Sequence, residues 1–167
     1  MKISYRPIGV IHSPFTTIEG MPIQPTGAAG IRGAVEVFPE FAEGLKDLEG
    51  FSHIILLYHF HRVQGAKLVV TPFMDSQPRG VFATRAPKRP NPIGLSVVKL
   101  LRIEQNVLHI ENVDILDGTP LLDIKPHVPE FDQPRVDHVG WMEQAAGRVH
   151  SKKSDGRFRR PVARREK

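Results

Sequence analysis

The chain has 167 residues, a formal net charge of +5 and no cysteine. This length suits one ordinary domain with its own core. The missing cysteines exclude disulfides, thiolate zinc sites and cysteine nucleophiles. Nine of the lysines and arginines lie in residues 148–167 beside two acidic residues, which leaves residues 1–147 mildly acidic. We therefore expect a folded domain over 1–147 and a basic C-terminal tail over 148–167. Such a tail is typical of RNA binding, and a disordered solubilising end is the alternative.

The beginning of the chain lacks the apolar core of a signal peptide. No apolar run in the sequence reaches the length needed to cross a membrane. Together with the absence of cysteine, this pattern predicts a cytoplasmic protein with no membrane partner.

Eight short segments rich in Val, Ile, Leu and Phe predict strands. In chain order they are residues 5–12, 31–38, 51–60, 66–71, 80–84, 95–103, 107–116 and 121–124. The connections are too short for crossover helices, which disfavours a parallel sheet. Glu104-Gln105-Asn106 predicts a hairpin turn between two of the strands. The fold class is therefore all-β, with an antiparallel barrel-like domain or a sandwich.

Two short helices complete the predicted elements. Residues 39–48 begin at a proline and an acidic residue and place Phe41, Leu45 and Leu48 on one face. Residues 139–149 carry Trp141, Ala145 and Val149 at intervals of four residues.

The stretch from Phe82 to Leu95 separates two of the predicted strands. Three prolines and a glycine within eight of its residues fix most backbone angles. Arg85, Lys88 and Arg89 lie on this stiff loop. A restricted loop loses little entropy when it binds a ligand, which suits a ligand clamp. A rigid surface turn whose charges face water is the alternative.

Several common site types lack their sequence signatures. No Gly-x-Gly-x-x-Gly motif opens a helix after a strand, and neither a phosphate-binding loop nor a serine nucleophile elbow is present. His53, His59 and His61 share one face of a predicted strand, but no carboxylate accompanies them at ligand spacing. We interpret them as core or rim histidines and expect no metal site.

Four segments are similar to a known family in order and spacing. They are Tyr-Arg-Pro-Ile-Gly-Val-Ile-His-Ser-Pro-Phe at 5–15, Leu-Glu-Gly-Phe-Ser-His-Ile at 48–54, Arg-Ala-Pro-Lys-Arg-Pro-Asn-Pro-Ile-Gly at 85–94 and Asp-Gly-Thr-Pro-Leu-Leu-Asp-Ile-Lys-Pro at 117–126. Together they resemble the TsaA-like family of TrmO-type tRNA (adenine-N6)-methyltransferases. The resemblance runs from about residue 5 to residue 158.

The resemblance implies an all-β, barrel-like enzyme that uses S-adenosylmethionine and forms homodimers. It implies methylation at N6 of threonylcarbamoyladenosine, next to the anticodon of tRNA. The implied cofactor-binding residues, carried over position by position, are Pro22, Ile23, Gln24, His61, Arg62, Arg85, Leu95, Asp117, Gly118, Thr119 and Pro120. Bacterial members typically have arginine where this chain has Ile23, which argues against a side-chain role there and leaves room for a backbone contact.

The chemistry of the residues is compatible with that cofactor. Arg85 suits a carboxylate, and Asp114, Asp117 and Asp123 offer carboxylates to a sulfonium cation. The sequence singles out no catalytic base, and Asp117 and His61 are the candidates. The predicted RNA-binding residues are Lys88, Arg89, Lys152, Lys153, Arg157, Arg159 and Arg160, with Phe158 available to stack on a base.

Two other functions remain open at this point. The first is an S-adenosylmethionine-dependent methyltransferase for a small molecule, in which the basic tail is incidental. The second is a non-catalytic S-adenosylmethionine-binding module. Transfer of a labelled methyl group to tRNA distinguishes the predicted enzyme from both.

Overall fold

The computed structural model describes residues 3–145 and 150–158. Within these residues the chain forms eight strands, one short α-helix and several 3₁₀ helices. The strands are β1 (Gly9–His12), β2 (Arg32–Val37), β3 (His53–His59), β4 (Val69–Val70), β5 (Arg79–Gly80), β6 (Ile93–Glu104), β7 (Val107–Glu111) and β8 (Thr119–Pro126).

Six of the strands close into a barrel in the order β1-β2-β7-β6-β3-β8, and every neighbouring pair is antiparallel. The all-β prediction of an antiparallel barrel is thus confirmed. β4 and β5 form a separate two-stranded ribbon. Strict alternation along β3 places Ile54, Leu56 and Tyr58 inside the barrel, where they belong to one apolar core with residues such as Leu108 and Ile110.

The predicted hairpin turn at residues 104–106 joins β6 to β7. Gln105 has a φ of 57°, a conformation that a tight turn requires. Asn106 ties this turn to β2, because its Nδ2 donates to the Val37 carbonyl oxygen at 2.7 Å and its carbonyl oxygen accepts from the Val37 N–H at 2.9 Å.

Two predicted strands differ from the observed elements in ways that matter for the site. The segment predicted as a strand over 80–84 continues past β5 as a 3₁₀ turn, Val81–Ala83. Thr84 closes this turn, since its N–H and its hydroxyl both donate to the Val81 carbonyl oxygen. The strand predicted over 107–116 ends at Glu111, because Asn112 adopts a left-handed conformation with φ of 69°.

The predicted helices form as 3₁₀ helices. Pro39–Leu45 and Leu48–Gly50 replace the first one, with a break at Asp47, whose φ is 65°. Gly140–Ala145 replaces the start of the second, and residues 146–149 lie outside the described part. The α-helix, α1, covers Pro129–Asp132. Among the residues that the structure describes, no helix has the length and apolar character to span a membrane.

Residues 150–158, which belong to the predicted tail, pack against the barrel domain. The backbone of Lys153 forms an isolated antiparallel β-bridge with that of Pro22, and the Ser154 N–H donates to the Met21 carbonyl oxygen at 2.8 Å. Phe158 is 5% exposed and packs edge-on against Phe73, with ring centroids 5.1 Å apart. This stretch is therefore part of the folded structure.

Candidate functional site

A cavity of about 330 Å³ lies at the end of the barrel where β3 ends and β6 and β8 begin. Three further segments complete its wall: the loop before the 3₁₀ helix Pro25–Gly27, the proline-rich loop before β6 and the C-terminal segment of residues 150–158. The wall thus draws on residues far apart in the chain, including Met21, Thr84 and Phe158.

Eight of the predicted cofactor-binding residues line this cavity. They are Pro22, Ile23, Gln24, His61, Arg62, Arg85, Leu95 and Thr119. The structure brings them together within one chain. Arg85 and Gln24 also contact each other, since Arg85 Nη1 donates to Gln24 Oε1 at 2.8 Å. This hydrogen bond holds the guanidinium at the cavity wall.

Asp117, Gly118 and Pro120, also predicted as cofactor contacts, are not among the residues that line the cavity. Asp117 Oδ1 accepts from the Ser13 N–H at 3.0 Å and lies 3.6 Å from His12 Nδ1. Gly118 has a φ of 71° and donates its N–H to the Ile11 carbonyl oxygen, which leads the chain into β8. The visible role of these residues is to tie the turn before β8 to β1.

His61, a predicted candidate for the catalytic base, lies at the rim of the barrel. Its Nδ1 is 3.4 Å from Thr119 Oγ1, which itself donates to the Leu116 carbonyl oxygen at 2.6 Å. Burial, with the nearby Arg62 and His59, lowers the pKa of His61. The imidazole is therefore neutral at neutral pH.

Three polar side chains form a hydrogen-bonded chain beside the same cavity. Asp114 was named from the sequence only as a carboxylate for a sulfonium cation, and Tyr58 and Ser96 were not predicted as part of the site. Ser96 is 1% exposed and donates its hydroxyl to Asp114 Oδ1 at 2.6 Å. The Tyr58 hydroxyl lies 3.0 Å from Ser96 Oγ. Because the single proton of Ser96 is used toward Asp114, Tyr58 is the donor in this second bond. A signal for the group exists in the sequence: Tyr58 and Ser96 are polar residues at inward positions of otherwise apolar strands.

The surroundings of this chain shift its protonation equilibria. Burial raises the pKa of Asp114 to about 6, although the Ser96 hydroxyl and the charge of Arg85 favour the ionised form. Burial and the nearby Asp114 also raise the pKa of the Tyr58 phenol, so that it stays protonated.

The packing around Gly94 explains why the proline-rich motif has glycine at this position. It pairs with Tyr58 across β3 and β6, and the Tyr58 and Phe60 rings cover it. A Cβ at this position would lie 2.9 Å from Phe60 Cζ and still closer to the Tyr58 ring. Only glycine leaves room for Tyr58 to reach Ser96.

The predicted RNA-binding cations fall into different environments. Arg89 Nη1 donates to the carbonyl oxygens of Val81 and Thr84 at 3.0 and 2.8 Å, so it closes the proline-rich loop on itself. Arg157 forms an ion pair with Asp155 at 2.7 Å and donates to the Pro72 carbonyl oxygen at 2.7 Å. Lys153 is exposed, while Lys88 and Lys152 are half-buried, and Arg159 and Arg160 lie outside the described residues.

A second, wider cavity of about 900 Å³ shares the Gln24, Thr84 and Arg85 wall with the first. Its other side includes the aromatic rings of Phe82 and Trp141. Phe82 is 76% exposed, and Trp141 is fixed by a 2.8 Å hydrogen bond from Nε1 to the Ala83 carbonyl oxygen.

Across residues 3–145 and 150–158, no group of three or more histidines and carboxylates is arranged to hold a metal ion.

The closed barrel with a cavity at its mouth defines an all-β barrel protein with a candidate ligand site at the strand ends. The family model described as the tRNA-methyltransferase O N-terminal domain matches residues 10–133. This chain therefore belongs to the TrmO family, and the resemblance found in the sequence is confirmed.

Individual relatives agree with the family. The chain is 58% identical over 158 residues to a probable S-adenosyl-L-methionine-binding protein of Pyrococcus abyssi, covering 95% of this chain and 86% of that protein. It is 37% identical over 136 residues to the mouse tRNA (adenine(37)-N6)-methyltransferase, of which it spans 32%. The crystal structure of TrmO from Pseudomonas aeruginosa superposes with a TM-score of 0.71 at 42% identity, over 84% of this chain and 63% of that chain. The chain thus spans less than two thirds of the length of the TrmO crystal chain.

Proposed function

We propose that this protein is an S-adenosylmethionine-dependent methyltransferase that acts on tRNA in the cytoplasm. The proposed acceptor is N6 of threonylcarbamoyladenosine next to the anticodon. One observation carries the proposal: residues from distant parts of the chain, predicted as cofactor contacts, line one cavity at the mouth of the barrel. The names of the mouse and Pseudomonas relatives support the reaction class.

The cavity suits S-adenosylmethionine in size and in chemistry. Its volume lies at the lower end of the range for small-molecule sites. Arg85 offers a guanidinium to the cofactor carboxylate. Phe60, Leu95 and Phe158 provide apolar surface for an adenine ring. When bound, the cofactor supplies an electrophilic methyl carbon.

The residues of the chain contribute mainly binding and alignment. Gln24 orients Arg85 through their hydrogen bond, which restricts how the cofactor carboxylate sits. Phe73 and Phe158 close one side of the cavity and exclude water from it. Alignment of nucleophile and methyl carbon is the largest contribution that a methyltransferase makes.

The second cavity is the proposed entry for the acceptor nucleoside. Exposed Phe82 and fixed Trp141 provide faces on which a base can stack, and they lie beside the wall shared with the cofactor cavity. Three lysines in the described part of the chain are proposed to contact RNA phosphates: Lys88, Lys152 and Lys153. Arg89 and Arg157 are proposed to act indirectly, by shaping the loop and the C-terminal segment.

The proposed assembly is a homodimer. Leu68 and Val69 are neighbouring exposed apolar side chains away from the proposed ligand contacts, and a second copy of the chain would cover such a surface. Light scattering at micromolar concentration is expected to give about twice the 18.7 kDa chain mass. A mass of one chain would contradict the dimer and leave the cofactor site unaffected.

The experiment that tests the function uses the full chain, S-adenosylmethionine with a labelled methyl group, and two matched tRNAs. One tRNA carries threonylcarbamoyladenosine and the other carries unmodified adenosine at the same position. We expect label in the modified tRNA, located by nuclease digestion and mass spectrometry. Cofactor binding without label in either tRNA would instead favour a small-molecule methyltransferase or a non-catalytic binding module.

A further inference from the structure

The Tyr58–Ser96–Asp114 chain is the part of the cavity that cofactor binding leaves unexplained. Two of its members, Tyr58 and Ser96, are buried side chains with hydroxyl groups on strands that otherwise direct apolar residues into the barrel core. Burial of polar groups in such a position costs free energy unless they form hydrogen bonds with one another. Here the bonds run in one direction, from Tyr58 to Ser96 to Asp114, and end at a carboxylate on the cavity wall.

We propose that Asp114 is the proton acceptor for methyl transfer and that Ser96 and Tyr58 are positioning residues that orient its carboxylate. This inference rests on the proposed function, because it assigns a role within that reaction. Asp114 takes the place of the two candidates predicted from sequence. Asp117 directs its carboxylate to Ser13 and His12 on the β1 side. His61 lies at the rim, where its Nδ1 is 3.4 Å from Thr119 Oγ1, whose hydroxyl donates to the Leu116 carbonyl oxygen.

The acceptor chemistry calls for such a group. The nitrogen of a carbamoylated adenosine resembles a urea nitrogen, so it is a weak nucleophile until its proton leaves. In the proposed step this nitrogen forms a bond to the methyl carbon while the bond from that carbon to sulfur breaks and its electron pair stays on sulfur. The N–H proton moves to the Asp114 carboxylate and then to water. The sulfonium methyl donor is the co-reactant, and the products are the N-methylated nucleoside and a neutral thioether.

The charged and titratable groups around Asp114 are compatible with this role. Tyr58 faces it from β3 through Ser96 of β6, and Arg85 acts on it from the proline-rich loop. His61, Arg62 and Arg89 line the same cavity. Burial makes the Asp114 carboxylate a stronger base than an exposed aspartate, while the Ser96 hydroxyl and the charge of Arg85 favour its ionised form.

The test compares three variants of the full chain. Asp114→Asn keeps a carbonyl oxygen that can accept the Ser96 hydrogen bond but cannot take up a proton. Ser96→Ala keeps the carboxylate and removes its donor. Asp123→Asn is the matched control, because Asp123 lies on β8 with its carboxylate 2.7 Å from Lys125 Nζ and does not line the cavity.

Three quantities are measured: the single-turnover rate of methyl transfer against pH at saturating cofactor, the cofactor affinity by calorimetry, and the Asp114 carboxyl titration by ¹³C NMR without cofactor. We expect Asp114→Asn to lower the rate about 10²–10⁴-fold and to change cofactor affinity by less than about threefold. Ser96→Ala should move both the acidic limb of the rate profile and the NMR titration to higher pH, because the ionised carboxylate loses a hydrogen bond. Asp123→Asn should leave all three quantities unchanged.

Several results would overturn the assignment. An unchanged rate in Asp114→Asn would do so, as would a loss of cofactor affinity that accounts for the whole loss of rate. An acidic limb that Ser96→Ala leaves in place would also contradict it, and this variant decides the matter if Asp114→Asn fails to fold. Absence of methyl transfer by the unchanged chain would contradict the proposed function and this inference together. Transfer that is indifferent to Asp114 contradicts this inference alone.

Discussion

Asp114 holds a carboxyl group at the barrel mouth, where burial raises its pKa from 3.8 to about 6. The folded state therefore binds this proton more tightly than the unfolded chain does. The contribution of the group to stability is full below about pH 4 and is lost as the pH rises through 6. A neutral side chain at position 114 does not ionise, so its contribution to stability does not fall as the pH rises.

Asp114→Asn is accordingly expected to stabilise the protein at pH 8 by about 2–3 kcal/mol, with little effect at pH 4. The measurement is the free energy of unfolding in denaturant at pH 4, 6 and 8. A variant that is less stable than the original chain at pH 8 would show that Asp114 contributes to the fold through its charge. Asp123→Asn is the control, because that carboxylate is paired with Lys125 at the surface.

Arg85 is the second residue whose contribution can be measured alone. Arg85→Ala removes the cation proposed to bind the cofactor carboxylate, and we expect cofactor binding to weaken by about 1.5–3 kcal/mol. Calorimetry with S-adenosylmethionine measures this directly. The matched control is Arg102→Ala, since Arg102 pairs with Glu104 at the far end of β6. Equal affinities in the two variants would exclude Arg85 from the binding site.

At the scale of elements, β3 and β6 meet at the barrel mouth through the Tyr58 and Gly94 pair. Gly94→Ala forces the Tyr58 and Phe60 rings away from the new methyl group. We expect a loss of about 1–3 kcal/mol in unfolding free energy and a displaced Tyr58 hydroxyl. Gly44→Ala is the control, because nothing lies within 4 Å of the Cβ it adds. Denaturant unfolding of both variants checks the prediction, and equal stability would contradict the packing argument.

The C-terminal segment is the second element with a measurable role. Phe158 and Ser154 line the proposed cofactor cavity, so removal of residues 148–167 opens its wall. We expect this truncation to weaken cofactor binding at least about tenfold. A chain that ends after Phe158 should retain the affinity of the full chain. If both truncated chains bind the cofactor equally well, the packed segment contributes nothing to the site.

At the scale of the whole molecule, the positive charge near the C-terminus bears on binding of the proposed RNA partner and not on the proposed cofactor site. Residues 159–167 add five lysines and arginines and one glutamate to residues 1–158, whose net charge is only +1. The chain that ends after Phe158 is therefore expected to bind tRNA more weakly and with a smaller salt dependence. If three or four phosphate contacts are lost, the slope of log K against log salt should fall by roughly three.

Filter binding at several salt concentrations measures this slope. A chain with residues 159–167 in scrambled order is the control, since counterion release depends on charge and not on sequence order. An unchanged slope after truncation would mean that RNA recognition lies elsewhere, with the proline-rich loop as the next region to test.

The sequence by itself determined the strand pattern, the hairpin at residues 104–106, the all-β class and the family. Local periodicity and motifs that are contiguous in the chain are enough to predict these features. Local periodicity was less reliable where polar contacts end a strand, as at Val81–Ala83 and Asn112. There the backbone conformation depends on hydrogen bonds that a propensity pattern does not encode.

Only the tertiary structure decided which members of each motif face the cavity. Asp117 and Asp114 are three residues apart, yet the chain bends at Ile115 between them, and Asp117 contacts Ser13 while Asp114 meets Ser96. The contact between Ser96 and Asp114 joins residues on different elements, and that between Arg85 and Gln24 spans 61 residues. Such contacts exist because closing the barrel brings the ends of β3, β6 and β8 together, and no local signal in the sequence encodes that closure.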